Sequence, residues 1–559
     1  MLALLWVILA ALPLLAQPGS AQPGSAQPAL AQQGCPSTPT WTVCDLVFDL
    51  TPQENPERAE LRAEFRSPRH HTYLLRAFRD GDRRLVIRFT PTEAGAWEYR
   101  LTSNLARLDG QMGQGTAGES DSPGFVHTAN VHHFATENRQ QPHLWMSTGV
   151  DRFLAMPRAD FDRLVAQRAQ EHFTHLRVMI EPGADMSEAA ERIRAINARG
   201  LTADLGLASI PPDARERERY IGDVVARFAA LNITWAGTTP FEDVPHGRLL
   251  MKDAGALIQK LDPYGHPRTT MAASTSGALA GDGWMSVLGY GTAEVNAGAV
   301  EHQLFQLPAV NTGIQSQRDL WNATMNGQYP ASGSGAYMKA WFEFMSGNRY
   351  WELEPYFDVD GARAIALEGV EYIVYAEKPG LVELTVENHS YDVAWMNPGT
   401  GEIVKQKEYK GEHFTGEPPD KAHDWVLHVS REGRKEGMLK SYKFDSRPVP
   451  VQEVEQNPAK VPFEIAEPAG DEISLSKAAS FALKIKRETR ATRSPLVEWT
   501  AEVVADGEGY RVAGVGTKGT LQIPRTVANK LPGVVSLRMS LLNANGKAYI
   551  VDRAYRLVP

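Results

Sequence analysis

The sequence is poor in the features that mark nucleic-acid-binding and membrane proteins. It contains only 2 cysteines in 559 residues, and Lys+Arg total 58 against 67 for Asp+Glu, a formal net charge of -9. It has no block of basic residues that would follow a nucleic-acid backbone. Beyond the N-terminus, no apolar run reaches the roughly 18 residues that a membrane-spanning helix needs. These absences favour a neutral, polar partner and leave both an enzyme and a binding protein open.

The N-terminal 31 residues differ in composition from the rest of the chain. Residues 2–16 form an apolar run, and the repeat AQPGS follows, so residues 1–31 are predicted to be a signal peptide and low-complexity linker. The absence of Lys and Arg before the apolar run departs from the usual signal pattern. In an exported chain, two neighbouring cysteines most simply form a disulfide, which predicts a Cys35 to Cys44 bond. The predicted location is secreted or periplasmic.

Hydrophobic periodicity divides the remaining chain into β-rich and mixed parts. Short strand patterns separated by turns predict an immunoglobulin-like β-sandwich over residues 35–134. Alternating strands and helices predict a (β/α)8-like barrel over residues 135–360, small enough that an incomplete barrel stays open. Strand patterns return in residues 361–430 and 461–559, which predict two further β-sandwiches, with residues 431–460 as a linker.

Three short motifs carry a resemblance to a known group of proteins. Residues 88–99, RFTPTEAGAWEY, resemble a hallmark of the immunoglobulin-like module of unknown function that precedes catalytic barrels in secreted bacterial glycoside hydrolases. Residues 262–269, DPYGHPRT, resemble a run of the apiosidase-like group. Residues 395–402, WMNPGTGE, resemble the domain nicknamed collagen-binding that follows such barrels. The resemblance implies a glycoside hydrolase-like protein acting on plant or microbial polysaccharide.

The resemblance also implies catalytic positions. It places a general acid/base in the loop after the strand that holds Trp235, and the nearest acid there is Glu242. A retaining enzyme needs a second carboxylate as nucleophile, and the family position falls near Gly313, where no acid stands. Three interpretations follow: a non-catalytic carbohydrate-binding or surface-assembly protein with a silent barrel, an enzyme that uses another acid, or an alignment shifted by one loop. Candidates for another acid are Glu301, Glu343 and Glu354.

Sugar sites combine aromatic faces with polar groups, because a sugar ring has apolar faces and hydroxyl edges. The residues of this kind near predicted strand ends are Arg177, Trp235, Asp282, Trp284 and Asn311. Each has a plain alternative as a core or surface residue. No histidine shows metal-ligand spacing with a carboxylate, including His132, His133, His266 and His302, so neither a metal nor a cofactor is predicted. The predicted partner is an oligo- or polysaccharide, and the oligomeric state stays open.

Overall fold

The computed structural model describes residues 35–431, except 182 and 245, and residues 454–558, except 475–478, 506–507, 522–531 and 544–545. The predicted signal peptide and linker of residues 1–31 lie outside this part, as does most of the predicted linker at 431–460. Within it, the chain folds into a multidomain, mainly β protein with eight sheets. None of the helices in the described residues is long and apolar enough to span a bilayer.

The N-terminal unit consists of two facing sheets. Its strands are β1 (Ser37–Pro39), β2 (Cys44–Asp49), β3 (Leu61–Arg66), β4 (Thr72–Arg76), β5 (Phe78–Arg79), β6 (Arg84–Phe89), β7 (Gly95–Ser103) and β8 (Met112–Gly118). One sheet has the order β1-β8-β7-β3-β4 and the other β2-β6-β5. Strand β3 alternates buried and exposed residues, as a sheet with one covered face requires. Phe65 and Phe89 stack across the two sheets with ring centroids 4.0 Å apart, and Cys35 and Cys44 form a disulfide.

The middle of the chain alternates parallel strands with helices. A small sheet of β9 (Val126–Ala129), β10 (His133–Thr136) and β11 (Gln141–Pro142) precedes it. The elements that follow are β12 (Ser147–Gly149), α1 (Arg158–Gln170), β13 (His175–Ile180), α2 (Met186–Asn197), β14 (Thr202–Leu207), α3 (Ala214–Phe228), β15 (Ile233–Thr238), α4 (Gly247–Leu261), β16 (Leu288–Tyr290), α5 (Ala299–Leu304), β17 (Ala309–Asn311), α6 (Gln317–Met325), β18 (Gln328–Pro330) and α7 (Ala336–Ser346). Short 3-10 helices lie at Phe241–Asp243, Ser276–Asp282 and Tyr350–Glu352.

These strands form two parallel sheets, β12-β13-β14-β15 and β16-β17-β18. Residues 267–269 lie between them, because the N–H of Trp235 donates to the Pro267 carbonyl and the N–H of Thr269 donates to the Trp235 carbonyl, both at 2.8 Å. On the other side, the Arg268 carbonyl accepts from Ser286 and Val287 at 2.9 and 3.1 Å. Strands β14 and β15 are buried along their whole length, as expected of parallel strands covered on both faces.

Local sequence sets the helices of this region. The carboxylates of Asp185 and Asp213 accept hydrogen bonds from the first-turn N–H groups of α2 and α3, which satisfies donors that a helix start leaves free. Helix α3 buries one apolar face, made of residues such as Ile221, Val225 and Phe228, in the core cluster that also holds residues of β14 and β15.

Strands dominate again after α7. The next strands are β19 (Glu354–Tyr356), β20 (Val359–Asp360), β21 (Arg363–Leu367), β22 (Glu371–Ala376), β23 (Val382–Met396), β24 (Ile403–Lys405), β25 (Tyr409–Gly416) and β26 (Trp425–Ser430), which form one eight-stranded sheet. The last are β27 (Val454–Glu455), β28 (Phe463–Glu467), β29 (Glu472–Ser474), β30 (Ala479–Ile485), β31 (Leu496–Ala505), β32 (Glu508–Val515), β33 (Lys518–Leu521), β34 (Gly533–Leu542) and β35 (Ala548–Val558), in two sheets. The predicted multidomain organisation is confirmed, and the described part of the chain is mainly β.

Candidate active site

The predicted acid Glu242 lies just beyond the carboxyl end of β15. The strand ends at Thr238, and the 3-10 turn of Phe241–Asp243 carries Glu242 towards the segment that follows residues 267–269. There its Oε2 accepts a hydrogen bond of 3.0 Å from the backbone N–H of Ala273. The N–H of Phe241 donates to the Met271 carbonyl at 3.3 Å, so the turn is tied to this segment twice. Glu242 is thus held at the carboxyl ends of adjacent parallel segments.

The environment of Glu242 favours its protonated form. Burial raises the pKa of this half-buried carboxyl above its ordinary value, and the hydrogen bond from Ala273 opposes that shift. The neighbouring carboxylate of Asp243 raises the pKa of Glu242 further by charge repulsion. A carboxylic acid that keeps its proton at higher pH is suited to donate it to a leaving oxygen.

Arg177 belongs to a buried polar row that crosses three strands. Strand register places Arg177 opposite Asp204, and Asp204 opposite Thr234, so the three side chains share one face of the sheet. The Thr234 hydroxyl donates to Asp204 at 3.0 Å, and the Arg177 guanidinium donates to the Ala331 carbonyl beyond β18. Burial raises the pKa of Asp204, while the charge of Arg177 opposes that shift. Asp204 was not among the predicted site residues. Its position inside a strand of the parallel sheet, where both faces are covered, indicates a buried acid.

Trp235 points to the opposite face from Thr234, because adjacent strand residues alternate. Its side chain is only 1% exposed, and its indole N–H donates to Asp262 at 2.9 Å. Asp262 also accepts from His266 at 3.0 Å. Trp235 therefore anchors β15 to the end of α4, and its contact with sugar stays a prediction.

Of the remaining predicted sugar-binding residues, Asp282 and Trp284 both lie beside α4, whereas Asn311 lies at the end of β17. Asp282 accepts from Arg248 at 3.0 Å, and Trp284 is buried against α4, where a Cβ on Gly255 would lie 2.2 Å from the indole. The Asn311 amide donates to Gln328 at 2.8 Å and to the Thr292 carbonyl at 3.0 Å. No contact described for these residues, or for Arg177 and Trp235, reaches Glu242.

Gly313, the position expected for a nucleophile, is closed to any side chain. Its N–H donates to the Asn311 side-chain oxygen at 2.7 Å. A Cβ at this position would lie 2.8 Å from the backbone of both Gly291 and Thr292, closer than real Cβ atoms approach. The glycine therefore permits a close backbone approach between the ends of β16 and β17, and a glutamate would fit only if this backbone moved.

The three alternative acids have different surroundings. Glu343 lies exposed on α7. Glu301 on α5 is buried, and it accepts from the hydroxyls of Thr275 and Tyr290 at 2.5 and 2.6 Å. Glu498, on β31 of the last unit, accepts from the Gly298 N–H at the start of α5. Burial and the nearby charge of Glu301 raise the pKa of Glu498, so these two acids meet where the C-terminal unit packs on α5.

Glu354 lies among three histidines. His132 Nδ1 and His302 Nε2 lie 3.0 and 2.5 Å from its Oε2, and His133 Nε2 lies 3.7 Å from its Oε1. Burial opposes ionisation of Glu354, but the imidazoles hold the pKa of the carboxyl well below its usual range. This cluster was not predicted from the sequence, because His132 and Glu354 are 222 positions apart and only the fold brings them together.

Comparison with known proteins finds one matching family model and several solved structures of similar fold. A family model described as a domain of unknown function, DUF5060, matches residues 37–104. No curated protein matches the chain. A solved structure from Bacteroides vulgatus ATCC 8482, provisionally assigned as a glycoside hydrolase, superposes with a TM-score of 0.61 at 14% identity. That superposition covers 71% of this chain and 100% of the other.

A second solved structure is a family 5 glycoside hydrolase from the same organism. It covers 57% of this chain and 96% of its own at 13% identity, with a TM-score of 0.48. The first superposition shows that the chain has a glycoside hydrolase-like fold.

Proposed function

We propose that this chain is an exported glycoside hydrolase-like protein that acts on plant or microbial oligo- or polysaccharide. In this proposal the parallel strands form a (β/α)8-like barrel, and the sugar binds at their carboxyl ends. Glu242 is the general acid/base that protonates the leaving oxygen.

Two sets of contacts support the barrel. Residues 267–269 supply the backbone hydrogen bonds that join the two parallel sheets edge to edge. On the other side, the Arg177 guanidinium on β13, the strand next to the edge strand β12, donates to the Ala331 carbonyl beyond the edge strand β18. In a parallel barrel the loops after the strands build the active-site face, and Glu242 lies in such a loop.

The position and protonation of Glu242 carry the functional proposal. Its carboxyl is held by the Ala273 N–H, while burial and Asp243 raise its pKa. General acid catalysis by a positioned side chain contributes roughly 10²–10⁴-fold to a rate. Trp235, Asp282, Trp284, Arg177 and Asn311 stay proposed as residues that shape the sugar site, directly or by positioning the strands.

The test is hydrolysis of aryl glycosides and pectic oligosaccharides by the full chain. Glu242→Gln keeps the shape of the side chain but cannot donate a proton, so kcat should fall about 10²–10⁴-fold while sugar affinity is retained. Glu64→Gln is the matched control, since it makes the same change at an exposed site on β3 of the N-terminal unit. Equal turnover by wild type and Glu242→Gln would remove Glu242 from the mechanism.

The close approach at Gly313 supports a second candidate function. A retaining enzyme needs a second carboxyl about 5 Å from the acid/base, on a different part of the site. The carboxylate whose charge raises the pKa of Glu242 is that of Asp243, the next residue in the same turn. If the barrel is silent, the protein binds carbohydrate without cleaving it. Calorimetry would then show oligosaccharide binding by wild type and Glu242→Gln alike, with no turnover by either.

A further inference from the structure

We infer that His132, His302 and Glu354, with His133 as a fourth ligand, form a site for a divalent transition metal such as Zn²⁺. The inference is independent of the proposed hydrolysis. One ligand atom from each of His132, His302 and Glu354 lies within 4.8 Å of the others. His132 lies in the turn before β10, His302 lies on α5, and Glu354 begins β19, so the site joins three distant parts of the chain.

Hydrogen-bond accounting at His132 points to a cation. Its Nε2 lies 2.9 Å from the carbonyl oxygen of Phe305, which can only accept, so Nε2 carries a hydrogen. In the neutral imidazole, Nδ1 is then a bare acceptor. That Nδ1 faces the two carboxylate oxygens of Glu354 at 3.0 and 3.2 Å, which are also acceptors. A positive charge between them satisfies both sides, either as a proton on Nδ1, which makes His132 an imidazolium, or as a metal ion in its place.

Two further imidazoles leave nitrogen atoms at the same place. His302 directs Nε2 at Glu354, while its buried Nδ1, on the Gly327 side of the ring, has no hydrogen-bond partner among the described residues. His133 directs Nδ1 to the Tyr329 hydroxyl at 2.7 Å, and its buried Nε2 has no hydrogen-bond partner and lies 3.7 Å from Glu354. His132, His133 and His302 are 6%, 4% and 3% exposed. Solvent therefore does not supply the missing hydrogen-bond partners of these imidazoles.

The spacing of the nitrogen and oxygen atoms is close to that of a tetrahedral zinc site. Zinc–nitrogen and zinc–oxygen bonds of about 2.0–2.2 Å place ligand atoms of a tetrahedral site about 3.3 Å apart. The three nitrogens lie 2.5, 3.0 and 3.7 Å from the nearest Glu354 oxygen, on both sides of that value. Metal-bound histidines usually donate their second nitrogen to a carbonyl or another polar group. The Phe305 carbonyl and the Tyr329 hydroxyl supply such partners.

Four protein ligands in a buried place define a structural site rather than a catalytic one, because a catalytic zinc keeps an open position. The ion would tie the β9–β10 hairpin and α5 to the first strand of the eight-stranded sheet. Asn130, in the same hairpin turn, already donates to the Trp351 carbonyl, so the hairpin meets this region at two points.

The test uses the full chain after chelator treatment and dialysis. Zn²⁺ titration should give one ion per chain, and Co²⁺ should give the intense visible bands of four-coordinate cobalt. His132→Gln and His302→Gln should each weaken Zn²⁺ binding at least about 100-fold, more than the roughly 10–100-fold typical of losing an outer-shell partner. His389→Gln is the matched control, because His389 makes a surface pair with Glu387 at 3.1 Å and should keep full binding.

Each result decides the proposal. A metal-free wild-type chain that takes up no stoichiometric Zn²⁺ overturns it, as does binding that survives in both variants. If the variants fail to fold, the Co²⁺ spectrum of the wild type decides: four-coordinate bands support the site, and the weak bands of six-coordinate cobalt contradict it.

Discussion

Glu242 and Glu354 are both half-buried glutamates, yet their surroundings shift their pKa values in opposite directions. Around Glu242, burial and the adjacent Asp243 raise the pKa, and backbone N–H groups such as that of Ala273 supply the opposing hydrogen bonds. Around Glu354, burial is outweighed by three imidazoles, which lower the pKa. The comparison separates a carboxyl that can deliver a proton from one held as an anion for its partners.

The difference follows from what each carboxyl contacts. Glu242 lies in a loop at the carboxyl ends of parallel strands, beside backbone donors such as the Ala273 N–H and one like charge. Glu354 contacts three histidine side chains that lie on separate elements, and 26% of its own side chain is exposed. A change at Glu242 should therefore affect chemistry with little loss of stability, whereas a change at Glu354 should affect stability first.

The largest effect on stability is expected from Glu354→Ala. Removing the carboxylate leaves His132, His133 and His302 buried without their shared partner. Removing one partner of a buried polar cluster lowers the free energy of unfolding by about 3 kcal/mol or more. Glu343→Ala is the control, because Glu343 is exposed and its pair with Lys339 at 3.6 Å lies on the helix surface. Thermal denaturation of both variants measures the difference, and equal melting temperatures would contradict the role assigned to Glu354.

The sequence predicts the strand, loop and helix around Glu242 because they are continuous over residues 232–269. Periodicity reports such local order directly. It does not report which face of β15 Trp235 occupies, because a parallel strand is buried on both faces. Nor can it pair His132 with Glu354, since the contact depends on how α5, the β9–β10 hairpin and β19 meet. Metal-ligand spacing rules apply to neighbouring residues, so they failed to reveal this cluster.

A smaller stability loss is expected from Gly313→Ala. This variant tests whether the backbone around position 313 leaves room for any side chain, and so whether a glutamate could occupy the position expected for the nucleophile. The new Cβ would lie 2.8 Å from the backbone of Gly291 and Thr292, and overpacking of this kind costs about 1–3 kcal/mol. Gly281→Ala is the matched control, because a Cβ there would meet no atom within 4 Å. If both variants unfold at the same temperature, the loop can move, and a glutamate at 313 becomes an admissible nucleophile.

The smallest effect is expected from Asp243→Asn, which sharpens the contrast by removing the like charge beside Glu242. The carboxylate of Asp243 raises the pKa of Glu242, so its removal should lower that pKa. A general acid works only while it is protonated, and the high-pH fall in kcat/KM should therefore move to lower pH. The control Asp121→Asn makes the same charge change at an exposed site in the N-terminal unit. The pH dependence of hydrolysis by the two variants measures the effect, and an alkaline fall that stays in place or moves to higher pH would contradict the assignment of Glu242 as the acid.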